Sequence, residues 1–150
     1  MNFKKIKIII IMTLTILTCN LNFVSAFECL TPSSISQDLI KDLDLIDNNM
    51  YMLMNTILKD QLNEDSAKQQ IRILDALIKN LNSKSSSLSK KDDTTILAVK
   101  AILSFYNLSL IKSEDFLKTE DRDDLINAVS AFSVGYNSST TLRKIISDSK

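Results

Sequence analysis

The chain has no histidine and no tryptophan, one glycine (Gly135), one proline (Pro32) and two cysteines, Cys19 and Cys29, among 150 residues. Without histidine the commonest general base and metal ligand is missing, so Ser-His-Asp and Cys-His nucleophiles and His-held zinc or iron are excluded. With one glycine there is no phosphate-cradling loop, and a calcium loop lacks both its spacing and its glycine at Glu120-Asp121-Arg122-Asp123-Asp124. Strand-rich folds turn on glycine, proline and asparagine at positive φ, and a chain this poor in the first two has little to build hairpins from. The expected fold class is all-α.

The first 26 residues differ in kind from the rest. Lys4, Lys5 and Lys7 precede the apolar run Ile8 to Leu17, and Val24-Ser25-Ala26 places small residues at −3 and −1. These features together read as a secretory signal peptide cleaved before Phe27. The domain reading is a signal peptide over 1–26 and one helical domain over 27–150. Asn20 and Asn22 interrupt any extension of the apolar run toward the ~20 residues of a membrane span. The expected location is secreted, either extracellular or in a cell wall, or the periplasm of a bacterial source. Loss of the three lysines leaves 15 basic against 18 acidic residues, a mild acidity that argues against a nucleic-acid partner. Cys29 is then the one remaining cysteine, a candidate for a disulfide between chains.

Apolar residues recur at three- and four-residue steps in four segments. The first, about Ser33 to Leu62, carries Leu39, Leu43, Ile46, Met50, Leu53, Met54 and Ile57, with a break expected near Asp47-Asn48-Asn49. The second starts near Asn63-Glu64-Asp65-Ser66, carries Ile71, Leu74, Ile78 and Leu81, and ends in Ser83 to Ser87. The third opens at Asp92-Asp93-Thr94 and runs from Ile96 to Ile111, apolar on nearly every side, which marks a central helix. At sixteen residues it is too short to span a bilayer, so no integral span is expected. The fourth follows Lys118 to Asp124 and places Leu125, Val129, Phe132 and Tyr136, then Leu142, Ile145 and Ile146; Gly135 in its interior suggests a kink or a close contact. Four such stripes with short polar connections predict an up-and-down bundle of four to five helices.

Little in the pattern carries chemistry. The acidic pairs fall at predicted helix starts or in loops, where the helix dipole accounts for them. Met50, Met52 and Met54 read as adaptable packing rather than a soft metal site. No catalytic residue, metal site or cofactor is assigned, and the reading is non-enzymatic. Asn107-Leu108-Ser109 and Asn137-Ser138-Ser139 fit the N-glycosylation acceptor; Asn107 is expected to be buried in the most apolar helix, leaving Asn137 as the candidate.

The run Leu110-Ile111-Lys112-Ser113-Glu114-Asp115-Phe116, then Asp124-Leu125, then Ser138-Ser139 with Leu142 and Ile145-Ile146, resembles the C-terminal half of the fungal hydrophobic surface-binding protein A and cell wall galactomannoprotein family. Asp42-Leu43 with Ile46-Asp47 and Leu53 is similar to the first long helix of that family, and Ala76-Leu77-Ile78 with Ser87-Leu88 to its second. The resemblance implies a secreted helical bundle that adsorbs to hydrophobic surfaces or holds a fatty-acid-like ligand between its helices. Leu97, Ala101, Phe105, Phe132 and Tyr136, on the two most apolar helices, are the candidates for lining such a cavity. The alternative is a solid-cored module that binds a host or target protein through an outer helix face.

Overall fold

The computed structural model describes residues 34–59, 61–87 and 93–148; the expected signal peptide and Cys29 lie outside them. The described residues form four helices and no strand: α1 (Ser34–Ile57), α2 (Glu64–Ser86), α3 (Asp93–Thr119) and α4 (Arg122–Asp148). They make the all-α, up-and-down bundle that the apolar periods imply. Each helix packs on the next, α3 and α4 most intimately, and α4 returns to lie against α1.

In α1 and α2 the core is made of residues that the period placed inward; on α3, apolar on nearly every side, the structure selects the side of Ile102, Leu103 and Tyr106. Leu39, Leu43, Ile46, Met50 and Leu53 of α1 meet Leu74, Ile78 and Leu81 of α2, Ile102, Leu103 and Tyr106 of α3, and Leu142 of α4, all almost wholly buried. Each of these aliphatic side chains contributes roughly 1.5–3 kcal/mol by leaving water, which is what holds helices together that would be marginal alone.

The expected break at Asp47-Asn48-Asn49 does not occur. Asn49 turns its amide back onto the Leu45 carbonyl at 2.8 Å, and Asp47 points into the bundle, where α3 and α4 supply its partners. The polar run is therefore satisfied without leaving helical geometry. Asn63 caps α2, its side-chain oxygen accepting from the Ser66 N–H at 2.9 Å, with Glu64 and Asp65 in the first turn where the dipole favours acids.

The third helix is longer than its apolar run. It continues past Ile111 because Ser113 and Leu117 extend the buried stripe while Lys112, Glu114 and Asp115 occupy its sides. Within Thr94–Thr119 an 18-residue stretch reaches a mean hydropathy of 1.5, long and apolar enough to cross a membrane by length and composition. The length argument against a span therefore fails, although half of that stretch is buried inside the bundle, as a core helix would be.

The turn from α3 to α4 spans two residues. Glu120 stops α3 in the left-handed region, φ 55°, with its N–H on the Phe116 carbonyl at 2.8 Å. Asp121 then accepts from the Asp123 N–H at 3.0 Å and starts α4. Lys112 straddles the turn, 3.3 Å from Asp115 and 2.9 Å from Asp124.

Candidate functional site

Two features of the bundle are not explained by a simple apolar core. The first is a polar cluster inside it. Asp47 is 1% exposed, and its two carboxylate oxygens are taken by different helices. The Tyr106 hydroxyl of α3 donates to Oδ1 at 2.5 Å, and the Ser139 hydroxyl of α4 donates to Oδ2 at 2.7 Å. One turn further along α4, Arg143 places Nη2 2.8 Å from the same Oδ2 and reaches Asp44 on α1 with Nη1. Three helices thus converge on one carboxylate.

Burial raises the Asp47 carboxyl above its usual 3.8; the hydrogen bonds from Tyr106 and Ser139 and the charge of Arg143 oppose the rise, and Asp44 adds to it. Burial and the neighbouring Asp47 charge push the Tyr106 phenol far above its ordinary value, so it remains a neutral donor.

Gly135 makes this geometry possible. A Cβ there would stand 2.6 Å from Tyr106 Cε1 and 2.8 Å from Cδ1, closer than carbon atoms approach. The bare helix surface lets the ring lie against α4 and carry its hydroxyl across to α1. Gly135, Ser139 and Arg143 recur at steps of four, so one stripe of α4 is given over to this cluster. The close contact expected at Gly135 is present, and no break in α4 accompanies it. Both Asp47 oxygens are engaged by hydroxyls from other helices and by Arg143, which is the chemistry of a latch between helices.

The second feature is the outer side of α3. Leu97 is 66% exposed, Ile111 54%, Leu108 46% and Phe105 36%, and Ala101 and Ser104 are exposed among them. Residues 97, 101, 104, 108 and 111 alternate steps of four and three, the spacing of a helix-pairing seam. The same helix that supplies Tyr106, Ile102 and Leu103 to the core therefore presents a second apolar stripe to the outside.

These positions divide the five residues chosen as cavity lining. Leu97, Ala101 and Phe105 belong to the outer side of α3. Phe132 is half-buried against the core, its ring 6.5 Å from that of Tyr106, and Tyr136, 37% exposed, stands 5.5 Å from Phe132. The five do not share one lining. A cleft of about 270 Å³ lies elsewhere, between the start of α2 and the end of α3, lined by Lys68, Ile71, Arg72, Glu114, Leu117 and Lys118.

The glycosylation acceptors are exposed in the opposite order to that expected: Asn107 is on the surface, because the outer side of α3 is open, and Asn137 is half-buried within α4. The methionines divide as well, Met50 and Met54 in the core and Met52 outside. Asp42, one of the paired acids, bonds Lys84 of α2 at 2.7 Å. Among the described residues no three His, Cys, Asp or Glu side chains converge as a metal site would require.

The sequence reading missed Asp47 as a site residue. A signal existed, since Asp47 follows Leu43 by four and precedes Met50 by three on the apolar stripe of α1. Compared with known proteins, the chain matches no family model, no curated protein and no solved structure.

Proposed function

We propose that this is a non-enzymatic, secreted helical protein that binds apolar surfaces, lipid included, through the outer side of α3. The observation that carries the reading is the exposed row Leu97, Leu108 and Ile111, flanked by Phe105, on a helix whose opposite side is the centre of the core. Scattered apolar residues on a surface need no explanation, but a row aligned along four turns of one helix is a binding stripe. The resemblance to the hydrophobic surface-binding protein A family points the same way. An outer stripe suits adsorption better than a fatty acid held between helices, since Tyr106 and the cluster around Asp47 fill the interior between α1, α3 and α4.

The test is adsorption to alkyl-coated beads and to phosphatidylcholine vesicles, compared with a Leu97→Glu/Ile111→Glu variant. Both residues are more than half exposed, so the fold should survive, as circular dichroism and melting will show. Binding that falls tenfold or more in a folded variant supports the reading, and binding that is absent in the wild type or equal in both refutes it. The alternative of a protein-interaction module with a solid core is favoured by one observation, the four-three spacing of the stripe, which is the geometry a partner helix reads.

A further inference from the structure

We infer that the outer face of α3 is a homodimer seam on which two copies of this chain pair their α3 helices antiparallel.

The argument starts from the sizes along the stripe. Leu97, Ala101, Ser104, Leu108 and Ile111 alternate in bulk as well as in spacing, with the small pair in the middle. Set antiparallel, the seam places Ala101 opposite Ile111 of the second copy and Ser104 opposite Leu108, so that the four central layers each join a large residue to a small one, while Leu97 faces Asp115 at the two ends. Set parallel, it places Ile111 on Ile111 and Ser104 on Ser104, and layers of unequal volume leave gaps. The parallel arrangement also brings Asp115, the next seam position, against its own copy.

Charge points to the same register. Lys100 and Glu114 flank the seam on one side, two heptads apart. Among the described residues Lys100 has no ion pair, and Glu114 has only a loose one, 3.9 Å from Lys118. In the antiparallel register Lys100 meets Glu114 of the second copy, and the two-fold axis repeats the pair. On the other flank Phe105 meets Phe105 of the second copy near that axis, covering an aromatic ring that is otherwise 36% exposed. From Leu97 to Asp115 the seam is about 27 Å long at 1.5 Å per residue. One helix pair of that length lies near the low end of specific interfaces, about 1,200 Å² in total, the size class of weak, reversible association.

The pairing stands on the seam alone. Its consequence, that the dimer and an apolar surface compete for one face, rests on the function proposed above.

The test is sedimentation velocity of the proposed secreted form, residues 27–150, over a dilution series under reducing conditions, so that Cys29 forms no bridge. A monomer–dimer equilibrium is expected. Leu108→Asp should leave only monomer, Lys100→Glu should raise the dissociation constant about tenfold, and Lys100→Glu with Glu114→Lys should return it to within about threefold of the wild type. A wild type that stays monomeric to several hundred micromolar overturns the inference, as does a dimer that survives Leu108→Asp. A double exchange that fails to restore pairing overturns the antiparallel register. A monomer that still binds alkyl beads sinks the dimer and leaves the proposed function standing; a dimer that ignores every apolar surface does the reverse.

Discussion

Gly135 and Tyr106 form a pair in which the absence of one side chain positions another. Glycine inside a helix costs about 1 kcal/mol relative to alanine, so helix propensity alone would have Gly135→Ala stabilise the protein. The contact opposes it. The added carbon would lie 2.6 Å from a ring held by its neighbours Phe132 and Gly135 and anchored through its hydroxyl to Asp47. Overpacking of this kind costs about 1–3 kcal/mol, more than the propensity gain, and a loosened ring also gives up its hydrogen bond. Urea denaturation of Gly135→Ala should show a net loss of stability; a gain would mean that the ring moves freely.

Asp47 gives a second test at the same scale. Asp47→Ala leaves the Tyr106 and Ser139 hydroxyls and one side of Arg143 without their acceptor, and breaking a buried pair in this way costs about 3 kcal/mol or more. Asp47→Asn keeps an acceptor oxygen and removes the charge, so it should cost less. The two carboxamide and carboxyl forms also separate by pH. Because burial raises the folded carboxyl above the 3.8 of the unfolded chain, the folded state holds its proton more tightly between those two values. The stability due to that proton is fully present below 3.8 and is lost as pH rises through the raised value. On acidification from neutral pH, wild type should therefore gain on Asp47→Asn, which has no such proton. Chemical denaturation of both proteins from pH 7 to pH 4 reads this directly, and a constant gap would mean that the carboxyl is not raised.

At the scale of elements, the helices were legible because their apolar stripes are regular, and the departures have specific causes. The polar run Lys112 to Asp115 looks like a helix end in one dimension; in the bundle Lys112, Glu114 and Asp115 lie outside a stripe that Ser113 and Leu117 continue inward. The break expected in α1 failed to appear because the partners of Asp47 lie 59 and 92 residues away in sequence, beyond the reach of any local period. The scarcity of glycine, read as evidence against strands, also leaves its trace at the turn before α4. A left-handed stop is the usual place for glycine, yet Glu120 occupies it at φ 55°. Glu120→Gly should relieve that backbone cost, offset in part by the greater freedom of glycine in the unfolded chain, for a net gain of about 0.5–1 kcal/mol. Thermal melting checks it, and a lower midpoint would show that the Glu120 side chain contributes more than its backbone costs.

For the whole molecule, the exposed stripe of α3 and its buried side pose a choice between two ways of meeting an apolar surface. The folded bundle can lie on it by its outer stripe, or it can open and insert α3, an 18-residue stretch of which has the length and hydropathy to enter a bilayer. The cluster around Asp47 separates the two. It ties α3 to α1 through the Tyr106 hydroxyl on Asp47, so insertion of α3 must break that hydrogen bond, whereas adsorption leaves it intact. Any substitution that weakens the latch lowers the cost of opening and should increase binding by insertion, while adsorption by the intact bundle should not respond. Adsorption through the outer face therefore predicts that Asp47→Ala, less stable by several kcal/mol but still folded at low temperature, binds phosphatidylcholine vesicles as wild type does. Binding isotherms at 10 °C decide it: equal curves place the contact on the outside of α3, and a severalfold rise in affinity for Asp47→Ala would show that the bundle opens to bind.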